Sequence, residues 1–344
     1  MVVIFPSQES CSLSMVAFSG IHLEALREGN LSTRMRAAYH TTKAKGGSMA
    51  VLDGRAIARK VQEQLEEQIV ELKTQGITPT IAPILVGDNP GAKVYYRTKG
   101  KLAEKLGIRY AGLRLPESTS QEALIDEIHR LNDDPEVHGL FVELPLPKGI
   151  SLAAISREIS PQKDIDCINP ASQGHLVSGG AASATYAELK ERPDVLLPAT
   201  PQAVMELLIA SGVDLAGKES VVVGAGAVGL PLALLLLREG YANVTLCEYK
   251  GKDLHEIVSR ADVVCVSVGR PNFITADMVK EGAVVIDVGI NVGKDGITGD
   301  VDYAGVEKKA SLITPVPGGV GPMTTTLIMA NTVKAARNLT RRHG

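Results

Sequence analysis

Tyr95 and Lys99 stand at i and i+4 in a stretch with helical patterning, so their side chains leave one face of a helix together. A lysine beside an aromatic ring in a cleft transfers protons where burial lowers its pKa. On residue type alone, Lys99, with Arg97 and Lys101 nearby, reads first as a solvated helix charge. Glu143 and Asp166 are carboxylates of equally ambiguous role. A second chemistry lies in Gly224-Ala225-Gly226-Ala227-Val228-Gly229, which has G-x-G-x-x-G spacing between an apolar strand and an apolar helix. The first glycine allows a tight turn, the second a close backbone approach to a pyrophosphate, and the third helix–strand packing. The helix N-terminus then offers N–H groups to phosphate. Without a ligand the same string is a Gly-rich turn of an α/β domain. Glu248 ends the next strand, where a carboxylate accepts from ribose hydroxyls and repels a 2′-phosphate. That favours NAD over NADP, although Lys250 and Lys252 offset part of the repulsion and leave NADP open.

The elements that must position these residues follow one another in a regular alternation. Asp53 caps a helix carrying Ile57, Ala58, Val61, Leu65, Ile69 and Leu72 at helical spacing up to Gly76. Residues 81–86 form a strand ending in Gly87-Asp88-Asn89-Pro90, followed by a helix over 92–106 and a strand over 108–113. A helix over 121–131 and a strand over 137–144 come next, stopped by Pro145 and Pro147. The second half repeats the pattern, with strands at 220–223, 243–247, 262–267 and 283–287 and helices at 227–238 and 254–259. Residues 178–198 read as a loop-rich connector. Such alternation predicts an α/β fold of two domains with parallel sheets, the second of Rossmann type, with a cleft between them. The expected division is 49–195 for the first unit, completed by a C-terminal helix over 323–340, and 196–322 for the nucleotide unit.

Composition narrows the class. The 344 residues are 44% hydrophobic with net charge −3, which excludes a mostly disordered chain and gives no general attraction to nucleic acid or anionic membrane. No apolar run approaches a membrane span, and 3% aromatics without Trp leave no stacking platform for single strands. The expectation is no nucleic-acid or membrane partner. Cys11, Cys167, Cys247 and Cys265 are scattered without metal-ligand spacing, which fits a reducing, cytoplasmic compartment and no metal site. Residues 1–48 lack sustained periodicity and read as a non-core extension. They are a mitochondrial presequence, which would place the protein in the matrix, or precede a true start at Met49.

Several strings together resemble the methylenetetrahydrofolate dehydrogenase/cyclohydrolase family. They are Val86-Gly87-Asp88-Asn89-Pro90 with Tyr95-x-x-x-Lys99, the run from Val137 to Pro147, and Pro161-x-Lys163-Asp164-Ile165-Asp166. Thr200-Pro201 and, most specifically, the run from Ile313 to Thr324 complete the match. The resemblance implies oxidation of 5,10-methylenetetrahydrofolate to the methenyl cation with hydride passing to NAD(P), then hydrolysis to 10-formyltetrahydrofolate. It implies that Tyr95 stacks on the folate, Lys99 manages protons, and Asp166 holds the pterin amino groups. Pro317, Gly318 and Gly319 would border the cleft, Ile290 would join the Gly224–Gly229 loop and Glu248 in holding the cofactor, and the protein would be a homodimer.

The departures set alternatives. Glu143 replaces a usual Gln, and a carboxylate beside Lys99 favours the protonated lysine, so a dehydrogenase with weakened cyclohydrolase activity is the alternative reading. Ala92 replaces a usual Ser and Cys167 a usual Gly, and Glu248-Tyr249 replaces a His-Ser pair of NADP-using members. The stretch 180–193 is longer than the resemblance leads one to expect. A shikimate-type dehydrogenase and a non-enzymatic nucleotide sensor are further alternatives.

Overall fold

The computed structural model describes residues 50–178, 184–239, 243–293 and 296–341, so the extension 1–48 and part of the stretch 180–193 lie outside the described residues. Strand β1 (Ala50–Val51) leads into α1 (Gly54–Thr74), whose N-terminal amides of Arg55 and Ala56 donate to the Asp53 carboxylate. The apolar positions from Ile57 to Leu72 form its buried face. Strand β2 (Thr80–Val86) is buried at every position, as a central parallel strand must be. Helix α2 (Pro90–Leu106) starts on the Asn89 side chain with Pro90 in its first turn, and ends at Gly107 in the left-handed region.

The single strand expected over 108–113 is two, β3 (Arg109–Tyr110) and β4 (Leu113–Leu115). The break falls at Gly112, where a Cβ would lie 2.0 Å from the Tyr96 hydroxyl, so the chain bends around that ring. Then come α3 (Gln121–Asp133), β5 (Gly139–Val142), α4 (Leu152–Glu158) and α5 (Pro170–Val177). The connector also contains α6 (Tyr186–Glu191), and α7 (Ala199–Ser211) follows it. Every residue of α7 from Pro201 to Ala210 is buried, so it carries no amphipathic period by which the sequence would reveal it. In the first sheet β2 is central, with β3 and β4 along one edge and β5 along the other, all parallel.

The second half runs β6 (Glu219–Val223), α8 (Gly229–Arg238), β7 (Asn243–Cys247), α9 (Leu254–Ser259), β8 (Val263–Val266) and β9 (Val284–Asp287). A hairpin of β10 (Asn291–Gly293) and β11 (Gly296–Thr298), a short α10 (Tyr303–Val306) and β12 (Leu312–Ile313) complete it. The second sheet is parallel throughout in the order β1-β12-β9-β8-β6-β7. Its outer strand β1 comes from the very start of the described chain. The last helix, α11 (Val320–Arg341), begins earlier than expected and packs along α1 and α7. One apolar core reaches from Ile57 and Leu65 of α1 through Met205 of α7 and Met329 of α11 to Val222 and Val263 of the second sheet. Among the described residues no helix is long and apolar enough to cross a membrane.

Candidate active site

Loops leaving the carboxyl ends of β9 and β12 meet the faces of α1 and α2, the place where open parallel sheets bind ligands. Between them lies a mainly apolar cavity of about 440 Å³, lined by Tyr95 of α2, Arg55 and Arg59 of α1, Ile290, and the run from Pro315 to Pro322. Pro317, Gly318, Gly319, Ile290 and Tyr95 are therefore brought together. The turn is tightly built. Gly318 has φ +123 and leaves room for the Arg55 guanidinium, while a Cβ on Gly54 would meet the Gly319 carbonyl at 1.8 Å.

One helical turn after Tyr95, the chain buries Lys99, which is 8% exposed. Its Nζ donates to both oxygens of Glu143, at 2.9 and 2.8 Å, and lies 4.4 Å from the centre of the Phe141 ring. Glu143 follows the end of β5 and is 5% exposed. The earlier expectation of a solvated Lys99 gives way to a buried ion pair, because β2 sets α2 and β5 side by side. Burial pushes the Glu143 carboxyl up, Lys99 pulls it down, and the nearby Asp166 raises it further. The Tyr95 phenol is pushed up by burial and by the Glu143 charge. Asp166 completes the electrostatic group, its carboxyl raised by burial and lowered by Lys99.

The loop that carries Asp166 is held by its own neighbours. Lys163 donates to the carbonyls of Leu131, Asn132 and Asp134 at the end of α3, at 3.1, 2.6 and 2.7 Å. Asp164, wholly buried, accepts from the amides of Ile168 and Asn169 at 3.1 and 2.8 Å. Of the Lys163–Asp166 string, the first and second members thus position the loop and Asp166 faces the charged group. Cys167 takes φ 59 at the bend, the conformation a glycine adopts without strain, and its thiol donates to the Leu196 carbonyl.

The Gly224–Gly229 loop lies apart from this cavity, at the end of β6. Gly224 has φ +105, and a Cβ on Gly229 would sit 1.7 Å from the Gly224 carbonyl oxygen. Above Gly226 there is open space. Ala225, Ala227 and Val228 make up the rest of the turn, and no side chain caps the start of α8. Among the described residues the buried Ser267 hydroxyl beside Gly224 and Gly229 has no partner. A dinucleotide pyrophosphate fits these features: unshielded amides, an open approach at the middle glycine and an unmatched hydroxyl. Glu248 is exposed at the end of β7. Beside it the Tyr249 ring carries the Arg270 guanidinium at 4.3 Å and the Lys250 ammonium at 5.5 Å.

Sequence reasoning missed Arg55, Arg59 and Gln62, which line the cavity from α1. Their i, i+4, i+7 spacing was the available signal, a polar stripe beside the apolar one. It also missed Asp287 at the cavity edge, whose carboxyl accepts from the amides of Gly289, Asp300 and Val301.

The family model described as "Tetrahydrofolate dehydrogenase/cyclohydrolase, catalytic domain" matches residues 52–166. That described as "Tetrahydrofolate dehydrogenase/cyclohydrolase, NAD(P)-binding domain" matches residues 198–340. "Bifunctional protein FolD" of Halalkalibacterium halodurans is 47% identical over 291 residues, 84% of this chain and 99% of that protein. The crystal structure of the bifunctional enzyme FolD, methylenetetrahydrofolate dehydrogenase/cyclohydrolase, from Campylobacter jejuni is similar with a TM-score of 0.78 at 43% identity, covering 85% of this chain and 99% of that one. The Trypanosoma brucei methylenetetrahydrofolate dehydrogenase-cyclohydrolase, complexed with NADP and an inhibitor, gives 0.77 at 36% identity, covering 85% and 99%. With two domains of one family matched in order, and relatives spanned almost end to end, the chain belongs to the tetrahydrofolate dehydrogenase/cyclohydrolase family.

Proposed function

We propose that this enzyme oxidises 5,10-methylenetetrahydrofolate to the 5,10-methenyl cation and then hydrolyses the cation to 10-formyltetrahydrofolate. The observation that carries this reading is the buried Lys99–Glu143 pair beside the Tyr95 cavity. A bound nicotinamide dinucleotide supplies the hydride acceptor for the first step. The chain's part in that step is to hold the folate against the Tyr95 face and exclude water, with the Pro317–Gly319 turn as the opposing wall. Asp166 orients the pterin by accepting from its amino group. Two guanidinium groups, on Arg55 and Arg59, suit the carboxylates of the folate's glutamate tail.

In the second step water adds to the methenyl carbon and the bond from that carbon to N5 breaks. One water proton ends on N5 and the other leaves to solvent, so a group that both takes and gives protons is required. Lys99 and Glu143 together meet that need. A pair locked as ammonium and carboxylate would leave Lys99 without a lone pair, which is the basis of the weakened-cyclohydrolase alternative. Against that alternative, both Glu143 oxygens lie within hydrogen-bond reach of Nζ, and burial raises the Glu143 carboxyl, which makes it easier to protonate. The relatives named as bifunctional point the same way, and this alternative is not favoured. The shikimate-type and nucleotide-sensor readings yield to the family membership.

For the cofactor the family gives NAD(P), and we propose NAD. The exposed carboxylate of Glu248 supports this, with Arg270 and Lys250 reducing but not removing its repulsion of a 2′-phosphate. A homodimer is supported by the open edge of the second sheet at β7 and by the exposed Leu230 and Leu237 on α8. A cytoplasmic setting is supported by the free, buried thiols of Cys167, Cys247 and Cys265. The test is the absorbance of the methenyl product with NAD and with NADP, followed by its decay to the formyl product. No methenyl product with either nucleotide refutes the activity, and a strong NADP preference refutes the cofactor choice.

A further inference from the structure

Just after the β10–β11 hairpin, Asp300 is buried with 0% exposure. One carboxylate oxygen, Oδ2, accepts from the amides of Val268 and Gly269 at 2.6 and 2.9 Å. The other, Oδ1, accepts from the Arg270 amide at 2.9 Å and from the Asn291 side-chain amide at 2.8 Å. One side chain thus gathers three successive backbone amides and a side chain from a separate loop. Bonds to an ionised acceptor are short and roughly twice as strong as neutral ones, so the carboxylate holds both segments firmly.

Those segments have different duties. Residues 268–270 leave the carboxyl end of β8 directly after Ser267, against which the glycine loop is packed. A Cβ on Gly224 would meet the Ser267 carbonyl oxygen at 2.3 Å. At the far end of the turn, the Arg270 guanidinium stacks on Tyr249, the neighbour of Glu248. Asn291, by contrast, follows Ile290, which is 41% exposed and lines the active-site cavity. The backbone before Ile290 is pressed onto the same carboxylate, since a Cβ on Gly289 would fall 2.1 Å from its Cγ. Asp287 holds the arrangement from the strand side. It accepts from the amides of Gly289, Asp300 and Val301 at 2.9, 3.0 and 3.0 Å.

We propose that Asp300 is a positioning residue for hydride transfer, its carboxylate keeping the nucleotide-side turn at 268–270 in register with the cavity-side loop at Ile290. The proposal rests on the dehydrogenase reading above and adds what aligns its two ligands. Hydride passes from the methylene carbon to the nicotinamide only when both are held in contact, and a misplacement of about 1 Å costs roughly a hundredfold in rate. Asp300 is too deeply buried to meet either ligand and acts through the loops it joins. Hydrolysis of the methenyl compound needs no nucleotide, so it draws on Lys99 and Glu143 and not on this register.

The experiment compares Asp300→Asn and Asn291→Ala with the wild-type enzyme in two assays. One is methenyl formation at saturating folate and nucleotide, and the other is hydrolysis of supplied methenyl compound without nucleotide. In Asp300→Asn an NH₂ group replaces one acceptor oxygen, so kcat for methenyl formation should fall roughly tenfold or more while hydrolysis stays within about twofold. Asn291→Ala cuts only the tie to the Ile290 loop and should lower the same kcat by roughly threefold or more. Its side chain is only half-buried, so it keeps the test alive if Asp300→Asn fails to fold. In both variants the isotope effect of a deuterated methylene carbon should rise, because hydride transfer becomes the slower step. A parallel loss of both activities shows a merely structural role and overturns the proposal. An unchanged kcat in both variants, or a loss confined to KM, overturns it as well. Absence of methenyl formation by the wild-type enzyme instead refutes the dehydrogenase reading, and the proposal with it.

Discussion

At the scale of single residues, the chemistry rests on a lysine whose charge is buried against a carboxylate. Removing its charge strands a buried carboxylate: Lys99→Met should destabilise the fold by about 3 kcal/mol. The loss should shrink as the pH is lowered and Glu143 takes up a proton. Adding Glu143→Gln should restore most of the stability without restoring hydrolysis of the methenyl compound, which should fall roughly a hundredfold or more. Urea unfolding and the decay of methenyl absorbance check the two arms, and a double variant as unstable as the single one would refute the ion-pair account. Tyr95 and Lys99 were legible in the sequence because four positions on a helix is a local relation. The pairing of Lys99 with Glu143 was legible only through the family resemblance and not from spacing, because the two residues meet through β2, which aligns α2 with β5. Residue type alone does not separate Lys163 and Asp164 from Asp166, and the structure shows the first two holding its loop.

At the scale of elements, the nucleotide loop separates two uses of glycine. Gly229→Ala would drive a methyl group into the Gly224 carbonyl, so it should lower the unfolding temperature. Gly226 faces open space, so Gly226→Ala should leave that temperature unchanged while weakening nucleotide binding roughly tenfold or more. Thermal unfolding with and without NAD distinguishes them, and equal behaviour of the two variants would refute the assignment. Two buried carboxyls, one at a strand end and one in a loop, carry a second consequence. Burial raises the Asp287 carboxyl to about 6, and that of Asp164 likewise to about 6. A carboxyl raised on folding contributes stability that is full below its unfolded value of 3.8 and is lost as pH climbs through about 6. Each is worth about 3 kcal/mol over that window. Asp287→Asn should flatten the fall in stability across the window, measured by urea midpoints at a series of pH values, and an unchanged slope would refute it. Strands and amphipathic helices were readable from period and caps. Helix α7 was not, because burial on all sides erases the period.

At the scale of the whole molecule, the α/β alternation and the two-unit plan were evident from the order of apolar runs. The shared core was not, because it forms from α1, α7 and α11, which lie far apart in the chain. Continuity of that core predicts a single cooperative unfolding transition in urea, coincident by circular dichroism and by tyrosine fluorescence. Two separated transitions would show the units to be independent. Sedimentation at micromolar concentration should give twice the chain mass, and replacing Leu230 and Leu237 on α8 by Asp should halve it if that face carries the dimer.

The placement of β1 at the border of the far sheet bears on how this enzyme can be divided. The polypeptide enters in one unit's sheet, builds the other, crosses back for the nucleotide fold, and returns once more as α11. A single cut near residue 195 therefore yields no self-sufficient half, since each fragment keeps a piece the other lacks. Expressed apart, the fragments should be insoluble. Co-expressed, they should reassemble through β1 and α11, which makes the chain a candidate for split-protein complementation rather than for modular domain exchange.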